Sequence, residues 1–207
     1  VSHELRSPIT RMKVTLEFLP EGKSKENIRS DLQEIEKMIF EILETARQHY
    51  MHGELNRQSI NLADLLYEII HAFENQPPGI QFSDFPKTIE IYADPDQIKT
   101  VLNNVLSNAL KYSQPENDSV QIGYKKQEPY VILRIKDHGI GIPEEELPFI
   151  FEPFYRVEKS RSKRTGGYGL GLSLCKTIME AHEGKIAVES APGQGTTVSL
   201  YFPESLF

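Results

Sequence analysis

The sequence predicts an α+β protein: an N-terminal helical hairpin, paired with a second copy into a four-helix bundle, followed by an α/β sandwich. Three observations predict it. Leu5, Ile9, Met12, Leu16 and Leu19, then Ile28, Leu32, Ile35, Ile39, Ile42 and Ala46, recur at steps of four and three, the seams of two helices. Short segments of strand character follow at 80–85, 89–92, 120–125, 130–136, 185–190 and 196–202. Helical apolar patterns at 62–75, 95–112 and 172–182 fall between them, and strands gathered into one sheet with helices on one face make a sandwich.

Bulk properties narrow the field. The 207 residues are 39% hydrophobic and 26% charged, an ordinary composition for a soluble protein of one or two domains. A net charge of −7 argues against nucleic acid as the main partner. Cys175 is the only cysteine, so no internal disulfide forms and a reducing cytosol fits. No apolar run approaches the roughly 18 residues that cross a bilayer. The chain starts at Val1, inside a helical pattern, and reads as a portion of something longer, with any membrane or sensing segment upstream.

The first two helices are joined by the turn-like Pro20-Glu21-Gly22-Lys23-Ser24. A two-helix hairpin cannot bury such seams alone, so dimerisation into a four-helix bundle is the economical solution; packing on the second domain is the alternative. His3 lies roughly 160° from the seam's centre, facing water together with Ser7, and Glu4 flanks the same surface. Pro8 removes the N–H that would bond the Glu4 carbonyl, so the helix bends there. An exposed His beside Glu at a built-in kink is poorly explained by packing, although an ordinary surface histidine is the plain alternative.

His49 to Ser59 is short and polar, which sets a linker at 53–58 between domains at 1–52 and 59–207. In the helix at 95–112, Asp94 is the N-cap and Pro95 the first helical residue. Ile98, Val101, Leu102, Val105, Leu106 and Ala109 form its apolar face. Asn104, Asn108 and Lys111 share another face at spacings of four and three. Ala191-Pro192-Gly193-Gln194-Gly195 is the turn between the last two strands.

The chemistry concentrates between Asp137 and Leu172. A strand ends in Asp137-His138-Gly139-Ile140-Gly141-Ile142-Pro143, and Gly166-Gly167-Tyr168-Gly169-Leu170-Gly171-Leu172 later runs into a helix. Glycines let backbone N–H groups approach phosphate oxygens, and a helix N-terminus adds a favourable dipole. An ionised Asp137 can only accept hydrogen bonds, so in a buried pocket it selects adenine, whose exocyclic amine donates, over guanine. The expected ligand is ATP. Carboxamide oxygens of Asn104 and Asn108 suit Mg²⁺, which takes phosphate oxygens and waters for the rest of its shell, and Lys111 would offset phosphate charge; a solvated helix face is the alternative. Between the glycine clusters, Arg156, Lys159, Arg161, Lys163 and Arg164 carry five cations against Glu158, a local reversal of sign that suits a triphosphate, or else a solvated basic loop. P-loop, protein-kinase and zinc-protease signatures are absent.

Five motifs in order and spacing resemble those of bacterial sensor histidine kinases, whose ATP-binding domain is similar to those of gyrase, the heat-shock chaperone and mismatch-repair ATPases. Ser2-His3-Glu4-Leu5-Arg6-Ser7-Pro8 resembles the H box, and Asn104 to Tyr112 the N box. Asp137-His138-Gly139-Ile140-Gly141 resembles the G1 box, Phe151-Glu152-Pro153-Phe154-Tyr155-Arg156 the F box, and Gly167 to Leu172 the G2 box. The resemblance covers essentially the whole chain. It implies that His3 is the phosphoacceptor, with Glu4 orienting its ring, and that Asn104 and Asn108 hold Mg²⁺ and phosphate. Lys111 and Arg156 would contact phosphates, Tyr112 the nucleotide and Asp137 the adenine amine. Gly139, Gly141, Ile142, Phe154, Gly167, Tyr168, Gly169, Leu170, Gly171 and Leu172 would line or cover the nucleotide.

It further implies a homodimer through the hairpin, transfer of the phosphoryl group to an aspartate of a response-regulator receiver domain, and a cytoplasmic location in a protein anchored in the bacterial inner membrane. Ser7 stands where the family has Thr; its hydroxyl could still position a water for phosphatase action on the receiver. His138 replaces the family's Asn, and Tyr168 a small Thr or Ser. Two rival functions are an ATP-hydrolysing dimerisation switch and a non-catalytic, receiver-docking scaffold. The first is disfavoured, since those relatives place a Glu where Asn104 stands and an Asn cannot act as that base.

Overall fold

The computed structural model describes residues 11–33, 35, 55–83, 85–157 and 169–204. It divides the chain into two compact units, Val1–Met51 and His52–Phe207.

In the first unit, residues 11–17 (α1) and 23–33 (α2) are helical. Leu16 and Leu32 are buried against each other. The Lys25 ammonium is buried and fully engaged, donating to the Leu19 carbonyl at 3.1 Å, the Glu17 carbonyl at 3.3 Å and Glu21 at 2.6 Å. It thereby serves carbonyls that the end of α1 leaves without helical partners. Of the expected seam, Met12, Leu19, Ile28 and Ile35 stay exposed, while Leu5, Ile9, Ile39, Ile42 and Ala46 lie outside the described residues.

The second unit runs β1 (Gln58–Asn61), α3 (Leu62–His71), β2 (Ile80–Ser83), β3 (Glu90–Ala93), α4 (Pro95–Tyr112), β4 (Val120–Gln127), β5 (Tyr130–Lys136), a 3-10 turn (Glu144–Phe149), α5 (Gly171–Ala181), β6 (Lys185–Ser190) and β7 (Thr196–Pro203). The strands do not form one sheet as expected. Five make a sheet of order β2-β4-β5-β7-β6, while β3 leaves it to pair antiparallel with β1. β1 itself overlaps the stretch read as linker, and the helix expected to reach residue 75 stops at His71.

α4 follows its sequence closely. Asp94 caps it, accepting from the N–H groups of Asp96 (3.1 Å) and Gln97 (3.3 Å), with Pro95 in the first turn. Ile98, Val101, Leu102, Val105, Leu106 and Ala109 are all buried. They share one core with the inward side chains of three paired strands, Ile122, Ile135 and Val198 in one row, Leu133 and Leu200 in the next. α3 and α5 flank α4 against this face. Burying each such aliphatic side chain stabilises by roughly 1.5–3 kcal/mol. The opposite α4 surface, carrying Asn104, Asn108 and Lys111, is left half-buried beside the ends of β5 and α5.

Candidate functional site

Asp137 follows the last residue of β5 and is 6% exposed. Its N–H donates to the Thr196 carbonyl at 2.9 Å, extending the β5–β7 ladder by one rung. Its Oδ1 accepts from the N–H groups of Gly139 (2.8 Å) and Thr196 (3.1 Å). Among the described residues no hydrogen bond reaches Oδ2, whose lone pairs are therefore available to a donor on a ligand. Burial raises the pKa of Asp137, and the two backbone donors, then His138, pull it back. The Nε2 of His138 is the one buried side-chain polar atom without a partner among the described residues.

The loop after Asp137 is wedged between the end of α4 and the β6–β7 turn. A Cβ on Gly139 would stand 2.3 Å from the Tyr112 carbonyl oxygen, and one on Gly141, at φ +67°, would stand 1.9 Å from that of Ala191. Ile140 N–H donates to the Tyr112 carbonyl at 3.3 Å, and Gly193 N–H to the Ile140 carbonyl at 2.8 Å. The approach that these two glycines permit is therefore first of all to protein backbone. That differs from the sequence expectation of glycines spaced for phosphate.

On α4, Asn104 donates through Nδ2 to the Thr100 carbonyl at 2.9 Å, which fixes the carboxamide's orientation. Its Oδ1 abuts Gly171, where an added Cβ would come within 2.7 Å. Lys111 Nζ lies 4.9 Å from the centre of the Tyr112 ring, a cation–π distance. α5 starts at Gly171 with Leu170 before it and, among the described residues, no side-chain cap, so its first N–H groups form a positive helix end next to Asn104.

The F-box-like stretch folds back to the same place. Tyr155 donates its hydroxyl to Glu146 on the 3-10 turn and packs on Phe149. Phe154, at φ +67°, donates its N–H to the Gly169 carbonyl at 3.0 Å, and Gly169, at φ +79°, backs against the Tyr155 carbonyl. Arg156 is half-buried in the same stretch.

Contacts thus link Asn104 to Gly171, Tyr112 to Gly139, Gly139 to Asp137 and Phe154 to Gly169. Leu170 is buried, Asn108, Ile142 and Leu172 are half-buried, and Phe154 is exposed. His3, Glu4, Ser7, Gly167 and Tyr168 lie outside the described residues. Sequence reading missed Gly195, whose Cβ would stand 2.0 Å from the Asp137 carbonyl oxygen, and Thr196, which bonds the carboxylate. Their only signal was the glycine-bearing turn ahead of β7, read as a connection and nothing more.

A five-stranded sheet backed by helices, with a buried carboxylate just past one strand's end and two carboxamides on helix α4, is an α/β sandwich with a polar site at its edge. Residues 93–206 match the histidine kinase-, DNA gyrase B-, and HSP90-like ATPase family, and the chain belongs to it. Sensor protein kinase WalK of Staphylococcus aureus is 36% identical over 98% of this chain and 52% of its own length, so the chain spans about half of that relative. Among solved structures, the catalytic domain of histidine kinase ThkA superposes with TM-score 0.61 at 27% identity, covering 72% of this chain and 97% of that one. Full-length ShkA in complex with AMPPNP superposes with TM-score 0.69 at 24% identity over 98% of this chain and 44% of its own, a likeness of fold.

Proposed function

We propose that the chain is the phosphoacceptor and ATP-binding part of a sensor histidine kinase, which phosphorylates His3 from ATP and passes the phosphoryl group to an aspartate of a response regulator. The observation that carries this reading is the carboxylate of Asp137, fixed through Oδ1 and open at Oδ2. An acceptor-only group at low exposure matches an adenine amine and opposes a guanine carbonyl. The neighbouring features suit the triphosphate. The start of α5 offers N–H groups to an anion, and Lys111 and Arg156 supply charge. Gly167, Tyr168 and Gly169 to Leu172, with Phe154, are assigned to the cover over the nucleotide, and Gly139, Gly141, Ile142 and Tyr112 to its floor.

Asn104 and Asn108 fit Mg²⁺. Asn104 has its amide nitrogen tied to Thr100 and its oxygen turned to the α5 start, and neutral carboxamide oxygens suit a cation that arrives with phosphate. When bound, the ion neutralises charge that develops on the phosphates. Among the described residues no cluster of three His, Cys, Asp or Glu side chains could hold a metal, so the nucleotide itself would complete the ion's shell.

The neutral form of the His3 imidazole attacks the γ-phosphorus through a ring nitrogen; the new P–N bond forms as the bond to ADP breaks. Glu4 accepts the other ring N–H and fixes the tautomer. Ser7 is assigned to positioning water for receiver dephosphorylation. The N-terminal unit pairs with a second copy as a four-helix bundle. Among the described residues no helix is long and apolar enough to cross a membrane.

Incubation with γ-labelled ATP tests the reading. Acid-labile label on the protein, lost in His3→Ala while ATP still binds, is expected. Free phosphate with no labelled protein would point instead to an ATP-hydrolysing switch, and neither to a scaffold.

A further inference from the structure

We infer that Ser190, at the end of β6, is a positioning residue for Asp137 and so for the choice of nucleobase. The inference rests on the nucleotide reading above and deepens it. Ser190 is half-buried and its single hydroxyl serves three partners. It accepts from the Ile142 N–H at 2.8 Å, donates to the Gly195 carbonyl at 2.8 Å, and lies 2.9 Å from the Thr196 hydroxyl. A serine hydroxyl has one donor and two acceptor sites. With its proton spent on Gly195, Thr196 must be the donor in the third contact, and the hydroxyl is then saturated.

Those partners are the two structures that hold Asp137. Gly195 and Thr196 close the β6–β7 turn, where Ser190 and Thr196 are the last paired residues. Thr196 N–H bonds Asp137 Oδ1, and Gly195 backs onto the Asp137 carbonyl. Ile142 ends the loop whose Gly139 N–H supplies the other bond to Oδ1. Ser190 therefore ties together the two segments that carry both donors of the carboxylate, without itself bonding Asp137. Its loss leaves the Ile142 N–H and the Gly195 carbonyl without these bonds and lets the turn drift, so the carboxylate loses its aim rather than its charge.

Binding of ATP and of purine riboside 5′-triphosphate, which differs only in lacking the exocyclic amine, reads this directly on the full chain. The wild-type protein should prefer ATP by about tenfold or more, the scale of one charged hydrogen bond. In Ser190→Ala that preference should shrink to about twofold, through weaker ATP binding with purine riboside triphosphate unchanged, and Ser190→Thr, which keeps the hydroxyl, should restore it. Should the alanine variant fold poorly, Ser190→Cys, close in size with a weak donor, takes its place and should lose the preference in the same way. An unaltered preference in the loss variant, or equal weakening of both nucleotides, overturns the role of Ser190 while the nucleotide reading stands. Equal wild-type affinity for the two nucleotides would instead sink the base-recognition role of Asp137, and the Ser190 inference with it.

Discussion

Burial raises the pKa of Asp137 above the ordinary aspartate value of 3.8, with the Gly139 and Thr196 N–H groups only partly offsetting it. The folded protein therefore holds this proton more tightly than the unfolded chain does. By linkage, the stability that this group contributes is greatest at low pH, declines as pH rises from 3.8 through the raised folded value, and is flat above it. An ionised Asp137 is thus a liability to the empty fold, kept for what it binds. Asp137→Asn should unfold at neutral pH no earlier than the wild-type protein, since its amide oxygen still accepts both N–H groups. It should bind ATP about 1–3 kcal/mol more weakly. Calorimetric melting and nucleotide titration of the same samples check both halves, and unchanged ATP affinity refutes the role. Gly141 makes the opposite case. At φ +67° with the Ala191 carbonyl oxygen 1.9 Å from an added Cβ, Gly141→Ala should destabilise by at least about 1–3 kcal/mol in denaturant titrations.

Between elements, the joint that aligns α4 and α5 depends on His182, which is 4% exposed. Its Nε2 accepts the Asp94 N–H at 3.0 Å, so Nδ1 carries the proton given to the Ile178 carbonyl at 2.8 Å. Arg57 joins there too, donating to the Ala181 carbonyl and pairing with Glu183, while the Asn56 N–H reaches Asp94. Burial, opposed by the Ile178 hydrogen bond, together with the nearby Arg57 charge against that of Asp94, lowers the pKa of His182 below 6.5. A lowered histidine contributes stability that is complete above pH 6.5 and is lost as pH falls through that value toward the folded pKa. Melting temperatures from pH 8 to pH 5 should show that acid limb. His182→Gln, neutral throughout with one donor and one acceptor, should flatten the limb; an unchanged limb assigns it elsewhere. Nothing in the sequence marked His182, because the partner of its Nε2, the Asp94 N–H at the cap of α4, lies 88 positions away. α4 was legible for the opposite reason: its cap, its Pro95 and its apolar period are all local signals. β1 was not, since Gln58-Ser59 looks like linker until β3 supplies the hydrogen bonds. The same holds for the site. Asp137, Asn104 and the glycines were readable as motifs, whereas Ser190 and Thr196 reach Asp137 only through strand pairing.

At the scale of the molecule, the N-terminal unit leaves a conflict between pattern and burial. Met12, Leu19, Ile28 and Ile35 sit on the predicted seam, yet they are 47%, 42%, 42% and 38% exposed, while among the described seam residues only Leu16 and Leu32 are buried together. Apolar residues repeating at three and four along both helices, yet open to water, are what a second copy would cover by the same contacts in reverse. The candidate nucleotide site, by contrast, draws every described residue from the second unit, within residues 93–206. The two functions should therefore come apart under mutation. A chain carrying both Ile28→Asp and Ile35→Asp places charges on the seam on either side of Leu32, about two helical turns apart, where burial in a dimer would be prohibitive. It should sediment as a monomer at concentrations where the wild-type chain is dimeric, and still bind ATP with wild-type affinity. A variant that stays dimeric moves the interface off this seam. A monomer that loses ATP binding means instead that pairing helps to build the nucleotide site.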